Sequence, residues 1–529
     1  MNREVNCDSI LATGVEISRL KRTQNSLLNI THIPPEILGH IFSFNITTED
    51  DSYFARMQKD SYNFLLVCRY WFHAALHTPE LWTSWGNNLQ DWKRQYLRSG
   101  TSALDLVLDG RYWEDKDGSF DKDLQGALRD RAARDVIRKV HLSSNNPGLL
   151  TAIVSSLIPE GEGIRQSSIE SIVLNDVDVS GLFARYHFPR LRNLHLRGRF
   201  RISSWDRLKS TTTGLTNLSL VLTDLASPPA IPTMSQILSL LSSNPNLRSL
   251  ALNGLAIEND EGRSPSLQVP LHHLEEISLL GTFGDTFPIL RRLGFSERMD
   301  RGVIAPHDCT LEEVSGTIVP WIRDYLRRDA RFGDRLGIFA SCDSRSISLH
   351  VNVVGVECPG ADQLPQDGPP YWKFTVMLSQ QIPPDVGKQL YINVLAPLPR
   401  EYVVYFRTHF GMKEEVATMM PNLEFLHLVC PVVLSGFLLP DPNGPNAGEK
   451  LFPSLRRLYL EGVEAEDDDW GPLITYLAHQ TFDSGRTLSL NLFGEGVHIC
   501  PEVIKRMESL VEELVYVPDP DGSCSYECR

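Results

Sequence analysis

One pattern constrains this chain more than any other: apolar, any two residues, apolar, any one, apolar. It recurs at Ile137/Val140/Leu142, Ile169/Ile172/Leu174, Leu191/Leu194/Leu196, Leu215/Leu218/Leu220, Leu247/Leu250/Leu252 and Leu274/Ile277/Leu279. It returns at Leu423/Leu426/Leu428 and Leu455/Leu458/Leu460. Within each group the copies start 22 to 32 residues apart. The last two apolar positions of a copy have the period of two at which a strand buries one face. A single copy cannot bury that face alone, so the copies must stack on a shared core.

Three copies take a longer form, Pro-x-Leu-x-x-Leu-x-Leu-x-Gly, at Pro189 to Gly198, Pro245 to Gly254 and Pro453 to Gly462. Pro421 opens a fourth, with Cys430 in place of the glycine. Proline ends an incoming helix and presets extended backbone. Glycine permits the tight turn away from the strand. The spacing resembles that of leucine-rich repeats, each a short strand with a returning helix or loop. Their usual asparagine is matched only at Asn145, so these copies are degenerate.

The region from about 281 to 420 breaks the pattern. It holds the apolar run Ser346 to Val351, a Pro/Gly-rich stretch from Pro359 to Pro370, and the strand-like Tyr402 to Phe406. The Pro/Gly-rich piece reads as an exposed loop. The strands around it are either irregular repeats with long insertions or a separate small β unit. If the repeats form an arc, its concave face is the surface such solenoids use for binding. His195, Arg197, Phe425, His427, Arg457 and Tyr459 are the candidates to hold a target there.

The N-terminal end has a different grammar. Between His32 and Trp82, Ile33, Ile37, Leu38, Ile41, Phe42, Leu65, Leu66, Val67, Trp71, Leu76, Leu81 and Trp82 crowd about fifty residues. A module that small buries only about 60% of its unfolded surface, so its apolar area needs a partner. Pro34-Pro35 starts a helix, on which Ile37, Leu38, Ile41 and Phe42 form one stripe. The run from Phe64 to Leu76 is apolar nearly all round and is expected to be buried on several faces. Thr78-Pro79 stops it and Glu80-Leu81-Trp82 begins a short third helix. Asn45 to Ser61, polar and charged, reads as a long loop.

These residues resemble the F-box, the adaptor-binding module of SCF-type ubiquitin ligases. The resemblance rests on Ile33-Pro34-Pro35-Glu36-Ile37-Leu38, Ile41-Phe42, Val67-Cys68, Trp71 and Leu81-Trp82. The Pro-Pro-Glu-Ile-Leu and Thr-Pro-Glu-Leu-Trp wording is most similar to F-box proteins of mushroom-forming fungi. By that resemblance, Pro34, Ile37, Leu38, Ile41, Phe42, Val67, Cys68, Trp71, Leu81 and Trp82 touch a Skp adaptor or support the contact. The adaptor would link the chain to cullin and RING subunits.

Composition narrows the rest. The chain has 529 residues, 42% hydrophobic and 22% charged, with a net charge of −15. That balance disfavours general binding to nucleic acid or an anionic membrane, and no apolar run is long enough to span a bilayer. Met1 to Leu20 lacks a signal-peptide core, and nine dispersed cysteines suit free thiols. An intracellular protein is expected, in cytoplasm, nucleus or both.

No Gly-x-Ser-x-Gly, His-Glu-x-x-His, phosphate-loop or dinucleotide-loop motif occurs. Cys524 and Cys528 lack a second ligand pair. No catalytic residue, metal site or cofactor is therefore expected. Two charge clusters remain. Arg185, Arg190, Arg192, Arg197, Arg199, Arg201 and Arg207 are interleaved with Tyr186, Phe188, Phe200 and Trp205. Such a cluster suits a solvated face, nucleic acid or an acidic or phosphorylated peptide. The run Glu464 to Asp469 reads as an exposed loop.

The expected fold is α+β, an α/β solenoid. An N-terminal segment (1–30), either a helix of its own or not, precedes the helical module (31–85). A connector (86–130), the repeat region (131–515, irregular near 281–420) and a tail (516–529) follow. The expected role is non-catalytic substrate recognition in an SCF-type cullin-RING ligase. The alternative is a repeat scaffold outside ubiquitylation.

Overall fold

The computed structural model describes residues 33–46, 63–85, 92–100, 102–109, 136–143, 168–176, 187–223, 231–258, 268–295, 301–307, 310–318, 336–342, 346–353, 374–379, 403–408, 420–429, 452–461, 470–484, 488–493 and 499–516, with scattered residues elsewhere. The chain divides into two compact units, 1–218 with 222–230, and 219–221 with 231–529.

In the first unit, α1 (Pro35–Ile46), a 3-10 turn (Asn63–Leu66), α2 (Arg69–Leu76) and a second 3-10 turn (Pro79–Trp82) come first. They lead directly into β1 (Ser84–Trp85), followed by α3 (Trp92–Ser99), β2 (Leu104–Asp109), β3 (Ile137–Ser143), β4 (Ser171–Asn175), β5 (Asn193–Arg197) and α4 (Trp205–Thr211). Strands β1 to β5 pair in chain order, all parallel. The segment 86–130 thus contributes a helix and a sheet strand. Register aligns Leu106, Val140, Ile172 and Leu194 in one row and Leu108, Leu142, Leu174 and Leu196 in the next. All eight are buried. Stacked aliphatic rows of this kind are what a strand repeat needs in order to share one core.

β6 (Asn217–Val221) falls across the division. The second unit continues with α5 (Met234–Ser242), β7 (Ser249–Asn253), β8 (Val269–Leu271), β9 (Glu276–Thr282), α6 (Phe283–Arg292), β10 (Leu293–Phe295) and β11 (Arg301–His307). Then come β12 (Leu336–Cys342), β13 (Ser346–Val353), β14 (Phe374–Ser379), β15 (Val403–Thr408), β16 (Phe425–Val429), β17 (Arg457–Glu461), α7 (Gly471–Ser484), β18 (Ser489–Phe493), α8 (Pro501–Glu508) and β19 (Glu513–Tyr516). Its sheet runs β7-β9-β11-β14-β13-β12-β15-β16-β17-β18-β19. Every pairing is parallel except the two that β13 makes with β12 and β14. Apart from β10, which pairs with β8 in a separate two-stranded sheet, the strands of 281–420 are built into the larger sheet through β9 and β16, not set apart as a unit of their own. The Pro/Gly-rich stretch, Asn145 and the acidic run 464–469 lie outside the described residues.

The repeated proline has a different job from the one its sequence suggests. The carbonyls of Phe188, Asn244, Met420 and Phe452 accept from the N–H groups of Leu191, Leu247, Leu423 and Leu455 at 3.1–3.2 Å. Each proline is the second residue of a β-turn, the position its fixed φ suits. It aims the first leucine of the copy inward. In the second case α5 has already ended at Ser242. The glycines behave as expected: Gly198 and Gly254 have φ of +85° and +69°.

A second recurrent bond joins copies. The carbonyl of Arg192 accepts from Thr216 and Asn217 (2.8 and 3.0 Å), that of Arg248 from Glu275 and Glu276 (2.7 and 2.8 Å), and that of Glu424 from Arg456 and Arg457 (2.8 and 3.0 Å). One carbonyl thus satisfies both N–H groups that lead into the next strand, so the backbone groups flanking each core row are paired.

Local capping steadies the returns. Thr233 and Gln236 form a reciprocal capping box at the start of α5. Ser235 beside it donates to Asp260, which holds that carboxyl below its usual range. Replacing Thr233 by alanine removes the bond its Oγ1 accepts from the Gln236 N–H and its hydrogen bond with Ser235 Oγ. It is expected to cost about 1 kcal/mol, seen as a lower urea midpoint; an unchanged midpoint would show that the cap is idle.

Of the N-terminal segment, the described residues between 13 and 23 are helical, with an ion pair between Arg19 and Glu16 at 2.7 Å. Val15, Ile17 and Leu20 are exposed there.

Candidate functional site

The helical module is closed by its own side chains. Leu38 and Phe42 from α1, Ala74 and Ala75 from α2, and Leu81 and Trp82 from the second 3-10 turn form one buried cluster. Ile33, Leu65, Tyr70, Trp71 and Leu76 pack around it. The alanines and Gly39 permit the close approach: a Cβ on Gly39 would stand 2.5 Å from Thr78 Oγ1. Three hydrogen bonds tie the pieces together. Tyr70 Oη donates to the Ile33 carbonyl (2.6 Å), Thr78 Oγ1 to that of Ala74 (2.8 Å), and Trp82 Nε1 to that of Ala75 (2.9 Å). The Phe42 and Trp71 rings meet at 5.1 Å, and the Arg98 guanidinium lies 4.5 Å over Trp82.

What the module leaves outside is the informative part. Ile37 and Ile41, one turn apart on α1, are 49% and 44% exposed. The Phe64–Leu76 run is not one buried helix. It breaks at Val67–Cys68, where Cys68 is extended (φ −159°, ψ 168°) and caps α2. That break turns Leu66 and Val67 outward, 83% and 54% exposed, and α2 itself exposes Phe72. No described residue covers these side chains, although fully burying one such aliphatic group is worth about 1.5–3 kcal/mol. Pro34 is also exposed, Cys68 is a half-buried free thiol, and the Trp71 indole N–H has no acceptor among the described residues.

The ten residues expected at this site therefore divide. Leu38, Phe42, Leu81 and Trp82 hold the module together from inside; Pro34, Ile37, Ile41 and Val67 face out; Cys68 and Trp71 sit between. Sequence reading left Leu66 and Phe72 out of the site.

Residues 30–85 match the F-box-like domain. The match ends on the last residue of β1, so it spans the whole module and the strand that joins it to the sheet. No curated protein matches the chain. F-box-like domains generally bind Skp-type adaptors.

The residues expected to hold a target lie in different settings. His195 and Arg197 are in the first unit, half-buried and exposed on β5. Phe425, His427, Arg457 and Tyr459 share the outward positions of β16 and β17 in the second, where register places Phe425 beside Arg457 and His427 beside Tyr459. Arg457 stacks 5.7 Å over Phe425. His427 Nε2 lies 2.8 Å from Glu461 Oε2, and its Nδ1 lies 3.4 Å from Tyr405 Oη.

Tyr459 is the exception: at 2% exposure it supports the surface and cannot offer a ring to a target. Its ring packs 5.7 Å from that of His427. Tyr405 and Glu461 escaped sequence reading, though the period of two places Glu461 on the same face as Arg457 and Tyr459.

Among the described residues, no three His, Cys, Asp or Glu side chains gather where a metal could bind, and no helix is long and apolar enough to cross a membrane. Cys524, Cys528, Arg185 and Tyr186 lie outside the described residues.

Proposed function

We propose that the chain is a non-catalytic substrate-recognition subunit of an SCF-type ubiquitin ligase, working inside the cell in cytoplasm, nucleus or both. The observation that carries this reading is the split within the F-box-like domain. Its core is complete without help, yet Ile37, Ile41, Leu66 and Val67 stay in water. A Skp-type adaptor is the partner such a surface fits, and cullin and RING subunits follow from it. The strands beyond residue 100 act as degenerate leucine-rich repeats in a solenoid arc that holds a target protein. Proximity does the rest: a tethered lysine meets the ubiquitin-charged enzyme at a high effective concentration. The chemistry belongs to other subunits.

The test is co-expression with a tagged Skp adaptor followed by size-exclusion chromatography. A one-to-one complex is expected. Ile41→Glu places a charge on an already exposed position, so it leaves stability within about 0.5 kcal/mol. It is expected to weaken the complex by more than about 2 kcal/mol. Unchanged affinity with folded variant protein would remove α1 from the interface.

A scaffold outside ubiquitylation is the second reading. Adaptor-dependent ubiquitylation of a bound target separates the two.

A further inference from the structure

The segment that leaves β5 carries a row of arginines on an ordered backbone. From Leu196 to Ile202 burial alternates strictly: Leu196, Gly198, Phe200 and Ile202 are buried, and Arg197, Arg199 and Arg201 are exposed. Phe200 and Ile202 are each 2% exposed and anchor the segment from within. Asp176, at the end of β4, fixes it from the side. Its N–H donates to the Arg197 carbonyl at 2.8 Å, and its Oδ1 accepts from the Arg199 N–H at 2.9 Å.

Chain geometry limits successive members of the row to at most about 7 Å apart at Cα. That is within one Debye length at physiological ionic strength, about 8 Å, so the charges act as one field. Among the described residues, Arg197 and Arg201 make no ion pair. Arg197 and Arg201, two exposed cations on a chain of net charge −15, are left to meet an acidic group on another molecule.

We propose that this row docks an acidic, extended segment of the target protein, with Asp or Glu side chains paired to Arg197 and Arg201. The proposal rests on the receptor reading above and names the chemistry of what is received. Arginine suits it because its planar fork binds a carboxylate through two parallel hydrogen bonds. Extension suits it because alternate side chains of an extended peptide share one face, about 6.6–6.8 Å apart. Nucleic acid fits less well. Phe188, Phe200 and Trp205, the described rings among these arginines, are 0%, 2% and 3% exposed and offer no surface on which bases could stack.

The experiment uses the full chain co-purified with its adaptor. The probe is a fluorescein-labelled peptide of alternating Glu and Ser, and the control has Gln in place of Glu. Fluorescence anisotropy is expected to show the Glu peptide binding about tenfold tighter than the control, or more. Binding should weaken as salt rises from about 0.05 to 0.5 M. R197E/R201E should abolish it while leaving the melting temperature and adaptor co-purification unchanged.

Equal binding of the Glu and Gln peptides overturns the proposal. So does binding that survives R197E/R201E. A single-stranded oligonucleotide or a phosphoserine peptide that binds where the Glu peptide does not overturns it as well, and reassigns the row to that ligand. Loss of the adaptor complex with Glu-peptide binding intact overturns the receptor reading instead and leaves the docking row standing.

Discussion

Trp82→Ala is expected to unfold the F-box-like domain while the rest of the sheet survives. Trp82 is 3% exposed, donates to the Ala75 carbonyl at 2.9 Å and carries the Arg98 guanidinium on its face. Truncating a buried tryptophan costs about 3–5 kcal/mol. A core this small supplies only about 3–5 kcal/mol in all, so the loss equals what the domain has. Amides of α2 should then exchange as if open, and the adaptor should no longer co-purify. Trp82→Phe separates the causes: it keeps most of the ring but drops the hydrogen bond, an expected loss of about 1 kcal/mol. Wild-type protection of α2 in Trp82→Ala would mean that this cluster is not what closes the domain.

The contrast with Ile41→Glu gives the two substitutions their meaning. One removes the inside of the domain and the other alters only its outside. Both are expected to lose the adaptor, but only one to lose the fold. Sequence alone did not separate them, because Ile37, Leu38, Ile41 and Phe42 form a single apolar stripe. The structure cuts that stripe lengthwise, with Leu38 and Phe42 inward and Ile37 and Ile41 outward. Periodicity reports that a helix has an apolar face; it cannot report how much of that face the rest of the chain covers.

The repeats were legible for the opposite reason. Each of the eight copies places three apolar residues at positions whose burial stacking requires, and all of those residues are buried. The copies that escaped notice lack the full pattern. Leu104/Leu106/Leu108 and Leu488/Leu490/Leu492 alternate strictly, and Val403/Phe406 has only two of the three residues. All eight of these side chains are nonetheless buried. The antiparallel excursion through β13 left no repeat signature, because hairpin partners contact one another through cross-strand pairing and need no fixed spacing along the chain. Of the target-facing candidates, Tyr459 is buried because outward register does not guarantee exposure once a neighbouring ring such as that of His427 packs against it.

Gly198→Ala is the second substitution with a large expected effect, and it tests the turn that carries the arginine row. Gly198 is buried with φ of +85°, a region that costs an L-residue about 1–2 kcal/mol. A Cβ there would also overlap Asp176 Oδ1 and lie 2.7 Å from Asp176 Cγ. To make room, the carboxylate must leave the Arg199 N–H, which adds the cost of an unmet hydrogen bond, about 1–3 kcal/mol. The total expected loss is about 2–5 kcal/mol, read as a fall in the urea midpoint. Part of that loss is collision and part is backbone strain, and a double-mutant cycle separates them. Asp176→Ala alone loses the hydrogen bond. Combined with Gly198→Ala it should cost clearly less than the sum of the two singles, because the second change removes the atom the first collides with. Simple additivity would assign the whole effect to φ and show that Asp176 yields freely. A Gly198→Ala protein as stable as the parent would show that the segment reaches Arg199 and Arg201 by another path, and the ordered row of arginines would lose its geometric basis.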